Sequence, residues 1–378
     1  MKNLFLHIPF TSRFFSVCKN FRFHKIFRFH KIFRNFVFGA FVLLLLPLGT
    51  SCSPIGVLKS HSATQTVDRV STNNASVPQF LVCDRSFDVP VGIDNHAQDV
   101  LSVGEASRSF SVHFGFHQGV VRKSVSNGFV EVLLDTCLSN LVPVLAGVTN
   151  NAGVFSANFP SDMLNRLNPG KYRIWYRLQN GKSWAWANLF RLMPGRELAV
   201  FDIDGTLTTS DGEVFKETLS RFLGESAKDT LLWDKLGDWW LSSGNLAFGA
   251  KVRMGAENAT HSVLQKGIFP IYLTGRPENI TSLTRDWLSR NQFAEGVLKL
   301  APSLHDVIPK DDGVGQFKFR VLSEMKALHL SVVEAYGNAT TDINAYENFG
   351  VPKERTFILG KHGGEKGTVN LGETFSVL

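Results

Sequence analysis

The sequence predicts an α/β domain with a Rossmann-type parallel sheet, preceded by an all-β sandwich. After residue 196, short apolar runs that are typical of buried parallel strands alternate with amphipathic helical segments. Before it, residues 77–195 contain short strand-like runs separated by Gly, Asn, Asp and Pro, which is typical of a sandwich. The 378 residues leave room for two or three domains.

Residues 1–51 have the composition of an export signal. They contain eight Lys or Arg and no Asp or Glu, and their apolar run, residues 36–46, is too short to span a bilayer as a helix. Residues 48–52 resemble a bacterial lipoprotein box, although Gly49 stands where an aliphatic residue is usual. We expect an exported cell-envelope protein, either membrane-anchored through a lipid on Cys52 or periplasmic; an uncleaved N-terminal anchor is the alternative.

The positive charge of the chain is concentrated in this first segment. The formal net charge is +7, but the residues after position 51 hold 32 Lys or Arg against 33 Asp or Glu. The composition therefore gives no support to nucleic-acid binding.

Residues 52–76 are polar and lack a helix or strand period, so we expect a flexible tether that lets the rest of the chain reach a membrane surface.

Residues 77–195 are expected to form an immunoglobulin-like sandwich with a scaffolding or positioning role. The six strand-like runs are residues 80–83, 110–116, 129–134, 153–159, 172–178 and 184–192. Turn residues at 168–170 and 180–181 lie on either side of the run 172–178, in which polar and apolar residues alternate most clearly. Export would permit a disulfide between Cys83 and Cys137; two reduced core cysteines are the alternative.

Two carboxylates follow the first buried strand of the α/β region. Residues 198–201 lead into Asp202 and Asp204, and alternate residues of a strand point the same way, so both carboxylates are expected at its carboxyl end. Like charges this close call for a cation or a shared proton, and Mg²⁺ prefers such oxygen ligands. Asp202 is a candidate nucleophile toward phosphorus and Asp204 a candidate acid or base. The alternative is an ordinary strand followed by an Asx-Gly turn.

A second predicted strand supplies donors that suit a phosphate. Residues 268–273 end at Thr274 and Gly275, whose hydroxyl and amide can donate hydrogen bonds to phosphate oxygens. A helix is expected to begin at Pro277 and to add its positive end. Taken alone, Thr274 is equally typical of a helix cap.

Two later blocks supply a cation and further oxygens. Lys318 opens an amphipathic helix and can balance the carboxylates, although a lone lysine at that place is usually solvated. After a third predicted strand, residues 332–336, Asn338 and Asp342 lie four positions apart. One helical turn would therefore direct both toward the same ion.

In this order the four blocks resemble the motifs of haloacid-dehalogenase-like (HAD-like) phosphohydrolases. The blocks are Asp202-Ile-Asp204-Gly-Thr, Thr274-Gly-Arg, Lys318 and Gly337-Asn-x-x-x-Asp342. Within that superfamily the sequence resembles the catalytic domain of the lipins, which are Mg²⁺-dependent phosphatidate phosphatases. It also resembles the related LNS2-like domain of membrane-associated phosphatidylinositol transfer proteins. An immunoglobulin-like domain accompanies the lipin catalytic domain, in agreement with the sandwich predicted here.

The resemblance implies a role for each matching residue of a catalytic domain at 196–378. Asp202 would attack phosphorus to form an aspartyl-phosphate, and Asp204 would protonate the leaving alcohol and then activate water. Thr274 and Lys318 would hold phosphate oxygens. The implied Mg²⁺ ligands are Asp202, the main-chain carbonyl of Asp204, Asp342 and, in a supporting place, Asn338. The other residues expected to line the phosphate pocket are Gly205, Thr206, Gly275 and Arg276.

The expected function is hydrolysis of phosphatidate to diacylglycerol and phosphate at a membrane, with no protein partner indicated. An envelope acid phosphatase for soluble phosphomonoesters is one alternative, although such enzymes usually carry Glu where Gly205 stands. A non-catalytic phosphatidate-binding protein is another, although binding alone needs no nucleophile. The aromatic insert at residues 213–255 departs from the lipins; it is expected to be a cap or a lipid-contacting element, with ordinary packing as the alternative.

Overall fold

The computed structural model describes residues 80–92, 94–104, 108–118, 121–209, 250–302 and 313–376. The predicted export signal, Cys52, the tether and positions 213–249 of the insert lie outside these residues. Within these ranges, no helix combines the length and the apolar character that a bilayer crossing requires.

The first part of the described chain is almost entirely β-structure. Its strands are β1 (Leu81–Cys83), β2 (His96–Ala97), β3 (Val100–Val103), β4 (Ser109–His113), β5 (Gly115–Gln118), β6 (Val121–Ser124), β7 (Phe129–Leu134), β8 (Val142–Val148), β9 (Val154–Asn158), β10 (Gly170–Leu178) and β11 (Ser183–Leu192), with one helix, α1 (Ser161–Asn165). The larger sheet has the order β3-β11-β10-β7-β8 with β1 also on β10, and the smaller sheet has the order β2-β4-β9. Strands β5 and β6 form a separate hairpin.

The two larger sheets of this part share one apolar core. Phe110 of β4 and Phe155 of β9 contribute to it from the smaller sheet, and Ile174 and Tyr176 of β10 from the larger one. All six predicted runs contain strands, but the run 110–116 is interrupted after β4 and resumes as β5. A sandwich is therefore present, and its immunoglobulin-like topology stays a prediction.

A disulfide joins Cys83 and Cys137, whose Cα atoms are 4.9 Å apart, so the disulfide expectation is confirmed over the reduced alternative. Beside it, the carboxylate of Asp135 is fully buried and accepts hydrogen bonds from the Arg85 guanidinium (2.6 Å) and from the main-chain amides of Arg85 and Cys137 (3.0 Å each). Burial alone would raise the pKa of Asp135, but these donors more than offset it, and the pKa is lowered.

The second part is a six-stranded parallel sheet with helices, as predicted. Its elements are β12 (Glu197–Phe201), α2 (Ala256–Gln265), β13 (Phe269–Pro277), α3 (Thr281–Arg290), β14 (Val297–Ala301), α4 (Gly313–Ala327), β15 (Ser331–Gly337), α5 (Thr340–Phe349), β16 (Thr356–Leu359) and β17 (Val369–Gly372). The order is β14-β13-β12-β15-β16-β17, and every neighbouring pair is parallel. Strand β12 is apolar after its first residue because Leu198 and Val200 enter one core while Ala199 and Phe201 enter another.

The sandwich and the parallel sheet belong to one compact unit and share a core. Leu101 of β3 and Leu192 of β11 lie in the same apolar cluster as Leu198 of β12. The rings of Phe190 and Phe269 pack with their centroids 5.7 Å apart. The change of architecture near residue 196 therefore does not separate two independent cores.

The segment between β2 and β3 also covers the outer edge of β14 through Asp99, which is 1% exposed. The Asp99 carboxylate accepts hydrogen bonds from the amide of Leu298 on β14 (3.0 Å), from the amide of Asn188 on β11 (3.0 Å) and from the guanidinium of Arg285 on α3 (2.8 Å). Lys299 donates to the Asp99 carbonyl (2.6 Å). The edge of β14 is thus covered by hydrogen bonds from within the molecule.

Candidate active site

The predicted site residues meet at one edge of the parallel sheet. Asp202 follows β12, Thr274 lies near the end of β13 and Asn338 follows β15. These three strands are neighbours and run in parallel, so their carboxyl ends lie side by side. Lys318 joins them from the first turns of α4, and Asp342 from the first turn of α5.

Asp202 is buried at 5% exposure and is held on both carboxylate oxygens. Lys318 Nζ donates to Asp202 Oδ1 (2.6 Å), and Thr206 Oγ1 donates to Asp202 Oδ2 (3.0 Å). The same Lys318 ammonium also donates to Asp342 Oδ1. The sequence left open whether Lys318 is a site residue or a solvated side chain. In the structure Lys318 is buried at the site.

The charges around Lys318 are not balanced, because one ammonium group faces the two carboxylates of Asp202 and Asp342. Burial raises the pKa of Asp202; Lys318 opposes this effect, while Asp342 and Asp204 add to it. Burial would lower the pKa of Lys318, but the two carboxylates more than offset it, and the pKa lies well above its usual value. With both carboxylates ionised the cluster would hold one negative charge in excess, which a proton on Asp202 or a further cation would relieve.

Asp204 is held separately from Asp202. Arg276 binds its carboxylate through Nη2 to Oδ1 (2.8 Å) and through Nε to Oδ2 (3.0 Å), and Thr274 Oγ1 donates to Oδ2 (3.0 Å). Strand alternation was given as the reason why both aspartates point the same way. That reason is wrong, because β12 ends at Phe201 and residues 203–207 form a turn. Arg276, predicted for the phosphate pocket, has its guanidinium on Asp204, and this pairing was not foreseen from the sequence.

The helix expected at Pro277 begins later than predicted. Strand β13 continues through Gly275 to Pro277, a single 3₁₀ turn follows, and α3 starts at Thr281. The physical reason is pairing: Thr274 aligns with Leu300, and Pro277 with Ala301, on β14, which keeps this segment extended. The amino end of α3 therefore does not adjoin Thr274 as predicted.

Gly205 and Thr206 form the turn after Asp204. Gly205 has φ +81° and packs against the Asn338 side chain so closely that a Cβ would collide with it, so glycine is required there. Thr206 Oγ1 lies 3.1 Å from Asn338 Oδ1. Arg253, which the sequence reasoning missed, donates to the main-chain carbonyls of both Gly205 and Thr206. No local pattern marks Arg253, since its partners lie more than forty residues earlier.

Asn338 and Asp342 are adjacent, but not for the reason predicted. Helix α5 begins at Thr340, so Asn338 lies before it and the shared helical turn is wrong. Asp342 Oδ2 instead accepts the main-chain amides of Asn338 (3.0 Å) and Ala339 (3.1 Å), which closes the loop after β15.

The donor set fits the predicted Mg²⁺. Among the described residues, no three His, Cys, Asp or Glu side chains are grouped in a metal-binding arrangement. The predicted set does not need such a group, because it combines two carboxylates with an amide oxygen and a main-chain carbonyl. Its members are Asp202, Asp342, Asn338 and the carbonyl of Asp204. All are hard oxygen donors, and the two carboxylates that share Lys318 favour a further cation.

Comparison with known proteins finds similarity to one family in part of this region. Residues 239–360 match the family model described as PITM 1-3, LNS2 domain. The chain is 25% identical over 214 residues to mouse membrane-associated phosphatidylinositol transfer protein 3, covering 57% of this chain and 18% of that protein. It is 33% identical over 114 residues to protein retinal degeneration B of Drosophila melanogaster, covering 30% of this chain and 8% of that protein. The chain thus spans less than a fifth of the length of these relatives.

Among solved structures, a putative beta-phosphoglucomutase from Thermotoga maritima aligns with a TM-score of 0.32 at 19% identity, over 46% of this chain and 93% of that chain. The family model and the relatives agree with the resemblance seen in the motifs. Residues 239–360 are therefore similar to the LNS2 domain of the membrane-associated phosphatidylinositol transfer proteins.

Proposed function

We propose that this chain is a phosphatase that transfers the phosphoryl group of a monoester first to Asp202 and then to water. The observation that carries the proposal is the setting of Asp202 at the end of the central strand. Its carboxylate is buried and oriented by Lys318 on one oxygen and by Thr206 on the other. A carboxylate fixed in this way is prepared for in-line attack on phosphorus.

The two aspartates would divide the chemistry. In the first step Asp202 would form a bond to phosphorus as the bond from phosphorus to the ester oxygen breaks, and Asp204, which must first leave Arg276 and take up a proton, would deliver that proton to the ester oxygen. In the second step Asp204 takes a proton from water as the water attacks the aspartyl-phosphate, which releases phosphate and restores Asp202. Thr274 and Arg276 keep Asp204 in place.

Lys318 would stabilise negative charge on the transferring group, because its ammonium lies within 2.6 Å of the attacking carboxylate. Mg²⁺, held by Asp202, Asp342, Asn338 and the Asp204 carbonyl, would supply further charge neutralisation for the phosphate.

We further propose phosphatidate at a membrane surface as the substrate. Its headgroup is a phosphomonoester, which this chemistry requires, and the names of the relatives refer to membrane association and phosphatidylinositol transfer. We also propose that the protein is exported to the cell envelope, either as a lipoprotein anchored through Cys52 or in the periplasm. The Cys83–Cys137 disulfide supports that compartment, because such bonds persist where conditions are oxidising.

A second candidate is a phosphatidate-binding protein without turnover. It is favoured by the family of the match, because the relatives are named for lipid transfer and not for hydrolysis. The presence of both Asp202 and Asp204 in an oriented, buried site favours catalysis over this reading.

The test is phosphate release by the full chain with Mg²⁺, comparing phosphatidate in mixed micelles with a soluble aryl phosphate. Asp202→Asn and chelation of Mg²⁺ by EDTA are the inactivating controls. Asp162→Asn is the matched variant, because it makes the same change on an exposed residue of the short helix α1 and should keep full activity.

We expect phosphatidate to be hydrolysed faster than the aryl phosphate, with both controls inactive. A preference for the aryl phosphate would replace the lipid substrate with soluble phosphomonoesters. Binding of phosphatidate vesicles without phosphate release from either substrate would support the second candidate and reject catalysis.

A further inference from the structure

Arg253 uses its whole guanidinium group to hold main-chain carbonyls near the candidate site. Nε donates to the carbonyl of Thr206 (3.0 Å), Nη2 to that of Gly205 (2.6 Å) and Nη1 to that of Glu373 (2.7 Å). The side chain is 11% exposed. The planar fork of arginine presents donors in fixed directions, so a single side chain here spans two successive peptide groups.

Two of these carbonyls, those of Gly205 and Thr206, belong to the turn that follows Asp204. Gly205 and Thr206 are buried, and buried carbonyls require hydrogen-bond donors. Since a peptide group is planar, fixing its oxygen also fixes its orientation. Thr206 is thereby held in the position from which its hydroxyl donates to Asp202 Oδ2 (3.0 Å).

Arg253 is itself anchored in place. Its amide donates to the carbonyl of Leu207 (2.8 Å), and next to it Thr208 and Val252 form a β-bridge. On its other side, Phe375 donates to the carbonyl of Met254 (3.0 Å). The side chain therefore joins three chain segments: the turn after Asp204, the strand-like segment around residue 252 and the C-terminal segment.

We infer that Arg253 is a positioning residue for the candidate active site, holding the turn at residues 205–206 so that Thr206 orients Asp202. This inference deepens the proposed phosphatase function and rests on it. None of the guanidinium contacts described above is to Asp202, Asp204 or Lys318, so Arg253 acts through the main chain and not on the reacting atoms.

The kinetic test uses Arg253→Met and Arg253→Lys in the full chain, with the soluble aryl phosphate and Mg²⁺. We expect kcat to fall about 10- to 100-fold in the methionine variant with KM changed by less than about threefold, because misplacement affects the reacting geometry more than substrate capture. Lysine retains the charge but not the fork, so an intermediate kcat is expected. A third variant, Arg253→Ala, leaves room for a free cation, so millimolar guanidinium ion should restore part of its kcat and ammonium ion should not.

The matched control is Arg191→Ala. Arg191 also donates to two main-chain carbonyls, those of Leu167 (2.7 Å) and Gly104 (2.8 Å), but both lie in the sandwich. This variant should lose stability without a change in the kcat of the folded fraction.

A second readout is independent of turnover. Hydrogen exchange of the amides at residues 203–208, followed by mass spectrometry without substrate or metal, should be faster in Arg253→Met and unchanged in Arg191→Ala. Unchanged exchange at these amides would overturn the inference, and so would an unchanged kcat in an active wild type. If the wild type releases no phosphate, the proposed function fails, while the exchange measurement still decides whether Arg253 holds the turn.

Discussion

Two buried charge clusters in this protein are built in opposite ways. At the junction between the sandwich and the parallel sheet, the Asp99 carboxylate is matched by the Arg285 guanidinium and by two main-chain amides. At the candidate site, the single ammonium of Lys318 serves both Asp202 and Asp342. Around Asp99 the cations outnumber the carboxylate, since Lys299 and Arg173 also lie near it, whereas around Lys318 two carboxylates share one ammonium group.

The difference is whether a buried carboxylate has a cation of its own. A buried charge is tolerated when it is paired and hydrogen-bonded, as Asp99 is, and it destabilises the protein when it is not. The pKa of Asp202 is raised by burial and by its carboxylate neighbours despite Lys318, so the site retains electrostatic strain that a cation would relieve.

The largest expected effect comes from Asp202→Asn. Removing the nucleophile should reduce phosphate release by about 10⁴-fold or more. The same change leaves Lys318 with one carboxylate, so the remaining pair is balanced, and the free energy of unfolding at neutral pH should rise by about 0.5–2 kcal/mol. Urea denaturation in EDTA measures the second effect. A clear loss of stability would contradict the charge-balance comparison.

A change in stability of opposite sign is expected from Asp99→Asn, because it leaves the Arg285 guanidinium buried without a counter-charge. The free energy of unfolding should fall by about 3–5 kcal/mol, while kcat per folded molecule stays unchanged. Asp84→Asn is the matched control: its side chain is 40% exposed, and its partner Lys171 keeps a second carboxylate, Glu295, so it should cost less than about 1 kcal/mol. Equal losses in the two variants would reject the role given to Asp99.

The smallest effect concerns the paired carboxylate of the sandwich. The pKa of Asp135 is lowered in the fold, so its contribution to stability is present above the pKa of the unfolded chain, about 4, and is lost as the pH falls toward the folded value. The difference in unfolding midpoint between the wild type and Asp135→Asn should therefore be constant from pH 7 to about 5 and shrink below about pH 4. A difference that persists at pH 2 would show that Asp135 does not act through its charge.

Much of the fold could be predicted because its signals are local. The runs at 129–134 and 198–201 become β7 and most of β12, since strand periodicity and continuous apolar character record which faces are buried. Strand β8 was not among the runs named from the sequence; it contains Pro143, and its place at the edge of the sheet accommodates that proline.

The sequence predicted which residues form the candidate site, but it did not predict which side chains contact one another there. Asp202, Lys318 and Asp342 meet as the motif order implied. The reasons offered for the directions of Asp204 and Asn338 were wrong, because both lie in turns and not on the strand or helix assumed. Local turn geometry, set by a positive-φ glycine and by hydrogen bonds to distant groups, decided where these side chains lie.

The sequence by itself determined the parallel sheet, the order of the four motif blocks and the side chains able to carry phosphoryl chemistry. Only the tertiary structure decided their partners: Arg276 on Asp204, Arg253 on the turn at residues 205–206, and Arg285 on Asp99. These pairs lie 72, 48 and 186 residues apart. Periodicity reports which face of an element is buried. A hydrogen-bond partner depends instead on how elements far apart in the chain are brought together. The number of cations beside each buried carboxylate is therefore a property of the folded molecule.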